Sequence, residues 1–309
     1  MPKKTPLAIF TYNRPYHTQQ TLQYLGKCPR LDECEIVIFC DGANRPEHQT
    51  QVEQVHEAVS DWAKLHNAQV ITRVENFGLK KSIETGVTDL CRKFGRIIVL
   101  EDDLLVNPAF IDYQLQALDH YADDERVWQV AGFTFPFDKS SEQGTMLLPL
   151  STTWGWGTWQ RAWKHYNSDP TEAVEYLAVS DNAYRFDLEG AYPYTQMLTG
   201  VAQNHLQSWG VLFWYMVWRH KGYVVYPCQS LVANLGFDDS GVNSGRHLNQ
   251  WNSVTLNDHG DRAWRFAVTP DEDNYVRLRK YIEDFVAQKK NSLFKRTFGK
   301  IQRLLAQVK

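Results

Sequence analysis

The chain has 309 residues, of which 43% are hydrophobic and 22% are charged, and its formal net charge is −3. This length accommodates one large α/β domain or two smaller ones. The near balance of charge gives no reason to propose a nucleic acid as a partner, because phosphate binding depends on an excess of Lys and Arg.

The sequence predicts a cytoplasmic protein. The apolar segment that follows Met1 is too short for a secretory signal, and the longest apolar stretch, 209–218, is about half as long as a membrane span. The five cysteines are odd in number and show neither a close pair nor zinc-type spacing. We therefore expect reduced thiols that serve as small core residues.

Strand and helix signals alternate through the N-terminal half of the chain. Apolar runs predict strands at 7–12, 35–40, 69–74, 97–100 and from 127 onwards, and amphipathic segments predict helices at 17–28, 46–66, 79–94 and 109–121. This alternation predicts a parallel, doubly wound sheet, and therefore an α/β fold.

Four of these strands end in residues suited to ligand binding: Asn13-Arg14, Asp41-Gly42, Glu75-Asn76 and Glu101-Asp102-Asp103. Each of these short segments alone is typical of a turn or loop. Together they predict a ligand site, because the carboxyl ends of parallel strands meet at the ligand-binding edge of such a sheet. The absence of G-x-G-x-x-G and of a P-loop disfavours a dehydrogenase or an ordinary nucleoside triphosphatase.

The triplet Glu101-Asp102-Asp103 follows an apolar run that reads as a buried strand. Desolvated carboxylates are costly unless a charge compensates them, and a divalent cation would do so. The alternative is that an acidic residue caps the next helix, but Asn107 followed by Pro108 suits that position better. The pattern favours a metal site over a helix cap.

Trp is concentrated in the second half of the chain, and the segment 151–163 is rich in both Gly and Trp. Seven of the 11 tryptophans fall between Trp154 and Trp218, and such clusters either fill a core or form flat platforms for sugar rings. We expect short helices within 170–205, an apolar helix at 209–220 and a strand at 223–226. The polar, glycine-rich segment 234–245 is either a lid over a bound ligand or a plain surface loop.

The tail, 289–309, contains seven Lys or Arg residues and no acidic residue, with apolar residues interleaved at mostly helical spacing. This pattern predicts an amphipathic helix on an anionic membrane surface. The alternative is a C-terminal helix that docks on its own domain.

Seven segments occur in an order that matches a known family: LAIFTYNRP, FCDGA, NFGLKKSIETGV, VLEDDL, WGWGTWQRAW, SWGVLFWYMVWRHKG and NLGFDDSGV. They resemble bacterial surface-polysaccharide glycosyltransferases with a GT-A fold, which are distantly similar to N-acetylglucosaminyltransferase I. The resemblance implies a Rossmann-like, mainly parallel sheet flanked by helices. It covers roughly residues 5–245 and implies one domain with a nucleotide-sugar-binding half at 1–135 and a Trp-rich acceptor-side half at 136–250. Beyond it we expect a C-terminal helical extension at 251–309.

The same resemblance implies roles for individual residues. Glu101-Asp102-Asp103 corresponds to the family's acidic motif, in which Asp103 would ligate Mn²⁺ or Mg²⁺ and Asp102 would lie near the donor sugar. The implied nucleotide contacts are Arg14, Asp41 at the uracil or ribose, Lys80 and Lys81 at the base and phosphates, and Gly241, Val242 and Asn243 in a closing loop.

The sequence departs from this family at the catalytic base. The distant relative has an aspartate directly after a tryptophan, whereas here Gly210 follows Trp209. An inverting transferase needs a base near the acceptor hydroxyl. The candidates elsewhere are Asp238 and Asp239 in the glycine-rich segment, together with Asp187 and His205.

These observations predict a metal-dependent, inverting hexosyl- or N-acetylhexosaminyltransferase that uses a UDP-sugar at the cytoplasmic face of the inner membrane. Its acceptor would be a glycan or lipid-linked intermediate of surface polysaccharide, such as lipopolysaccharide. One alternative is a sugar nucleotidyltransferase, which residues 10–16 disfavour because they contain no glycine. The other is a non-catalytic sugar-nucleotide or glycan-binding protein, which Gly210 favours.

Overall fold

The described part of the chain is built around two sheets and the helices that cover them. The structure is a computed structural model that describes residues 4–179, 181–237 and 264–288. The strands are β1 (Thr5–Thr11), β2 (Cys34–Cys40), β3 (Gln69–Thr72), β4 (Arg96–Glu101), β5 (Leu104–Val106), β6 (Val127–Ala131), β7 (Thr145–Leu148), β8 (Trp156–Trp159), β9 (Tyr223–Pro227) and β10 (Val232–Asn234).

Ten α-helices accompany these strands within the described residues. They are α1 (Pro15–Leu25), α2 (Gln49–His66), α3 (Gly78–Phe94), α4 (Phe110–His120), α5 (Gln160–Trp163), α6 (Thr171–Ala178), α7 (Asn182–Phe186), α8 (Tyr194–Ala202), α9 (Trp209–Arg219) and α10 (272–288). Short 3₁₀ helices at Leu31–Glu33 and Pro46–His48 precede β2 and α2.

The large sheet has eight strands in the order β3-β2-β1-β4-β8-β6-β9-β7. The pairs β3–β2, β2–β1, β1–β4 and β6–β9 are parallel, whereas β8 and β7 pair antiparallel with their neighbours. The predicted α/β class, with a mainly parallel sheet flanked by helices, is confirmed. Strands from both sides of residue 135 belong to this one sheet.

A second, two-stranded sheet was not predicted. β10 pairs antiparallel with β5, so that Asn234 lies opposite Leu104. These strands have only three residues each, which is too few for a periodic pattern to identify them. The pairing places the start of the glycine-rich segment beside the acidic triplet.

The expected cap of α4 was wrong in detail. The helix begins at Phe110, and Pro108 lies outside it. The Asn107 side chain instead accepts a hydrogen bond from the backbone N–H of Ala109 at 2.8 Å. Within the described residues, the carboxylates of the acidic triplet make no hydrogen bond to this helix.

Most of the tryptophans fill the core. Trp156 is fully buried and stacks on Trp209 with ring centroids 5.3 Å apart, and Trp159, Trp163 and Trp214 are also buried.

All five cysteines are buried and unbridged, as expected. In the ranges that the structure describes, every helix is too short or too polar to cross a bilayer. The basic tail, 289–309, lies outside those ranges.

Candidate functional site

A cleft of about 600 Å³ opens at the carboxyl-terminal edge of β1, β2 and β4. Because these strands are parallel, the residues that follow them reach the same edge of the sheet. The predicted strand-end residues Arg14, Asp41, Asn76 and Glu101–Asp103 all line this cleft. The stacked rings of Phe10 and Phe39, whose centroids are 4.9 Å apart, also line it.

Arg14 lies between two of the three carboxylates. Its guanidinium donates to Asp102 in a short hydrogen bond and to Asp103 Oδ2 at 3.0 Å. Burial alone would lower the pKa of Arg14, but the two carboxylates outweigh burial and raise it above its ordinary value. The guanidinium therefore stays charged and compensates part of the negative charge at the end of β4.

Backbone and hydroxyl donors hold the acidic turn in place. The backbone N–H of Tyr12 donates to Asp102 Oδ2 at 3.2 Å, and the hydroxyl of Thr21 donates to the carbonyl of Asp102 at 2.9 Å. Burial raises the pKa of Asp102, and the Arg14 charge opposes that shift. Both carboxylate oxygens of Asp102 therefore accept hydrogen bonds, whereas the Asp103 side chain is more exposed to solvent.

The segment after β10 packs directly against Asp103. The backbone N–H of Leu235 donates to the carbonyl of Asp103 at 2.8 Å. A Cβ atom at Gly236 would lie 2.4 Å from Asp103 Oδ2, which is closer than nonbonded atoms approach. Only glycine at this position leaves room for the Asp103 carboxylate.

Among the described residues, no hydrogen bond or ion pair engages the Glu101 carboxylate, and only the nearby charge of Arg14 opposes the rise in its pKa. Burial raises the pKa of Glu101 to about 8, and the Asp103 carboxylate adds to the effect. Three carboxylates thus share one guanidinium, and the uncompensated carboxyl suits a site for a hard divalent cation.

The donor set also limits how a metal could be held. In the described ranges, no group of three or more His, Cys, Asp or Glu side chains is arranged to bind a metal ion. Mg²⁺ and similar ions often use one or two carboxylates together with substrate phosphates. Asp103 and Glu101 fit that mode, which requires a phosphate-bearing ligand.

The pKa of Glu101 leads to a testable pH dependence. A carboxyl group whose folded-state pKa lies above its unfolded value destabilises the native state as pH rises between the two values, here from 4.5 to about 8. We expect Glu101→Gln to raise the Tm at pH 8.5 in EDTA and to leave it nearly unchanged at pH 4.5. Glu57→Gln, at an exposed site on α2, serves as the control. An equal shift at both pH values would contradict the assignment.

Asp41 caps helix α3 from the end of β2. Its two carboxylate oxygens accept hydrogen bonds from the backbone N–H groups of Phe77 and Gly78, both at 2.9 Å. Gly78 has φ +73°, a conformation that glycine adopts without strain. Asp41 is nearly buried and still lines the cleft, so the predicted nucleotide contact remains a prediction.

A polar rim beside Asp102 was not predicted. The hydroxyl of Tyr12 lies 2.7 Å from both Asn44 Oδ1 and His48 Nδ1, and it accepts a hydrogen bond from the backbone N–H of Asn44 at 3.1 Å. All three residues line the cleft. The sequence could have indicated this rim only through the position of Tyr12 directly after β1, because Asn44 and His48 lie more than 30 residues from Tyr12 in the chain.

Lys80 and Lys81 do not line the cleft. The Lys80 ammonium donates to the carbonyl of Ser168 at 3.1 Å, and the Lys81 ammonium lies 4.2 Å from the centroid of the Phe77 ring. Their predicted contacts with the nucleotide would require these side chains to leave those partners.

The rest of the cleft lining comes from the second half of the chain. Thr153 and Trp154 precede β8, Gln207 and Gly210 flank the start of α9, and Phe237 follows β10. Gly210, at the position where the resemblance expects an aspartate, therefore does face the cleft. A Cβ atom there would meet only Thr153, at 3.4 and 3.7 Å.

Two of the four predicted base candidates, Asp187 and His205, belong to the described residues. Asp187 accepts a hydrogen bond from the backbone N–H of Thr195 at 2.6 Å, and neither Asp187 nor His205 lines the cleft. Asp238, Asp239 and the predicted loop residues Gly241, Val242 and Asn243 lie outside the described residues.

No protein-family model matches the sequence, and no curated protein matches it either. Among solved structures, TarS of S. aureus aligns with a TM-score of 0.31 and 15% identity over 62% of this chain. The chain spans only 33% of TarS.

Two further solved structures are similar at the same level. The 4-diphosphocytidyl-2C-methyl-D-erythritol synthase of Anaerococcus prevotii has a TM-score of 0.31 and 12% identity, over 60% of this chain and 84% of its own. The mannose-1-phosphate geranyltransferase of Thermus thermophilus has a TM-score of 0.28 and 12% identity, over 68% of this chain and 67% of its own. Similarities this low do not establish a shared function. The function of this protein is therefore inferred from the residues of the cleft.

Proposed function

We propose that the protein is a glycosyltransferase that moves a sugar from a UDP-sugar to a glycan or lipid-linked acceptor. The observation that carries this proposal is the triplet Glu101-Asp102-Asp103 at the mouth of a parallel sheet, where Arg14 offsets only part of the negative charge. A cation bound together with a substrate diphosphate would complete the compensation.

Asp103 and Glu101 would hold Mn²⁺ or Mg²⁺. The ion would supply positive charge next to the diphosphate, so that the departing nucleoside diphosphate needs no proton. Arg14 orients the Asp102 and Asp103 carboxylates, and Gly236 gives Asp103 the room to keep that orientation.

The nucleoside would lie toward the ends of β1 and β2. Asp41 fixes the start of α3 there, and Tyr12 holds Asn44 and His48 at the rim. The acceptor would approach from the wall that includes Trp154 and Gly210. We assign the base of an inverting reaction to Asp238 or Asp239, which follow the cleft residue Phe237 in sequence.

A screen of UDP-sugars by thermal shift, with and without Mn²⁺, tests the proposal. A ligand that binds the native state stabilises it, by about 2.7 kcal/mol when its concentration is 100 times its Kd, and therefore raises the Tm. We expect one UDP-sugar to stand out and to require Mn²⁺. If none of the UDP-sugars shifts the Tm with the ion present, the proposal is wrong.

The products of turnover separate the three functional classes. A glycosyltransferase releases UDP when the sugar moves to the acceptor, whereas a sugar nucleotidyltransferase releases pyrophosphate when it forms the UDP-sugar from UTP and a sugar phosphate. A binding protein releases neither. Release of pyrophosphate, or Mn²⁺-dependent binding without turnover across an acceptor panel, would contradict the glycosyltransferase assignment.

A further inference from the structure

The charged residues of the cleft lining all come from the N-terminal half of the chain. Within the described residues, every charged lining side chain lies between Arg14 and Asp103, on the segments that follow β1 and β2 or at the end of β4. The other part of the lining, formed from residues 153–154, 207–210, 234 and 237, is called the uncharged wall because it has no charged side chain. The charged part and the uncharged wall would therefore suit two chemically different ligand groups.

The uncharged wall has free polar groups beside an aromatic surface. The Thr153 hydroxyl and the Gln207 amide make no hydrogen bond among the described residues. Trp154 lies beside them and packs against Phe133 and Phe237, with ring centroids 4.3 and 5.3 Å away. An aromatic ring next to a few unpartnered hydrogen-bonding groups is suited to a ring that has C–H faces and hydroxyls.

Gly210 keeps this wall open and neutral. Its missing side chain leaves a space in which a Cβ atom would touch only Thr153. Gly210 is the second residue of α9, and a side chain at this position would project toward Thr153. Ser208 caps the start of this helix, because its hydroxyl accepts a hydrogen bond from the backbone N–H of Val211.

An anionic ligand group would be disfavoured at this wall. It would lose hydration against uncharged side chains and would lie in the same cleft as the Glu101–Asp103 carboxylates. A neutral ring carries no such penalty.

From this arrangement we infer that the wall formed by Thr153, Trp154, Gln207 and Gly210 is the acceptor subsite and that it takes a neutral pyranose ring. The ring packs against Trp154 and occupies the space beside Gly210, while Thr153 and Gln207 bond its hydroxyls. The inference rests on the proposed function, and it excludes a uronic acid or a sugar phosphate as the group bound at this wall.

The test compares neutral and charged methyl glycosides of matched shape. Binding of methyl β-glucoside, β-galactoside, β-N-acetylglucosaminide and β-glucuronide is measured by saturation-transfer NMR on the full chain with UDP and Mn²⁺ present, and UDP binding is measured in parallel by calorimetry. We expect at least one neutral glycoside to bind at least 10-fold more tightly than the glucuronide.

Two pairs of variants locate the binding. Gly210→Val fills the space beside Thr153 and is expected to weaken the neutral glycoside at least 10-fold without changing UDP affinity. Gly200→Val, in helix α8 outside the cleft, is the matched control and leaves binding unchanged. Trp154→Ala is expected to lose binding and Trp154→Phe to retain most of it.

The outcomes separate this inference from the proposed function. If UDP binds but no neutral glycoside does, if the glucuronide binds more tightly, or if Gly210→Val has no effect, the subsite is wrong while the donor site stands. If a neutral glycoside binds in a Gly210- and Trp154-dependent way but UDP does not bind, the subsite stands and the glycosyltransferase proposal fails.

Discussion

Asp103→Asn is expected to lower kcat/KM for the UDP-sugar by about 100-fold, which corresponds to roughly 3 kcal/mol of transition-state stabilisation. Asn preserves the shape of the side chain, and its carbonyl oxygen can still accept the hydrogen bond from Arg14 that is now 3.0 Å long. It removes the charge with which the carboxylate would bind the cation. The measurement is a Mn²⁺ titration of turnover, in which the variant should need a much higher ion concentration.

The control for this substitution is Asp123→Asn, at an exposed site that does not line the cleft. It removes the same charge and should leave kcat/KM and the Mn²⁺ titration unchanged. If Asp103→Asn retained the wild-type Mn²⁺ dependence at an unchanged Tm, Asp103 would not be the metal ligand.

Arg14→Met is expected to reduce the free energy of unfolding by about 3–5 kcal/mol when measured in EDTA, since it leaves a buried carboxylate without its partner. The Asp102 side chain is only 4% exposed, so water compensates little of the lost charge. Mn²⁺ together with UDP should restore part of the stability, because it supplies positive charge at the same carboxylates. Urea unfolding with and without these ligands measures both effects.

A second substitution distinguishes the loss of an ion pair from a loss of packing. Arg14→Met combined with Asp102→Asn should be more stable than Arg14→Met alone, because no unpaired charge then remains at position 102. Arg45→Met, at an exposed Arg that lines the same cleft, is the control and should cost no more than about 0.5 kcal/mol. Equal stability of the single and double variants would show that charge compensation is not what Arg14 contributes.

The sequence predicted the sheet well where strands are long and buried. The strands at 35–40 and 97–100 were found to within about one residue, since their apolar runs are continuous. The strand at 69–74 ends earlier, at Thr72, because β3 is an exposed edge strand with a weak apolar signal. The short strands β5, β7, β8 and β10 were missed, because three or four residues cannot show a period.

The sequence also located the acidic side of the cleft. A buried strand that ends in three carboxylates is an electrostatic anomaly visible in the sequence alone, and the parallel sheet then places it beside Arg14 and Asp41. The sequence did not identify Arg14 as the counter-ion. Arg14 and Asp102 are 88 positions apart, and no local pattern reports a contact at that separation.

By itself, the sequence determined the α/β class, the positions of the long strands along the chain and the edge of the sheet at which the carboxylates gather, because hydrophobic periodicity and strand ends are local properties. Only the tertiary structure decided how the triplet is compensated, why residue 236 is glycine, and that uncharged residues of the second half complete the lining of a cleft whose charged residues all come from the first half. These features depend on side chains from distant segments that meet only after the sheet has formed, and pairing of that kind leaves no periodic trace in the chain.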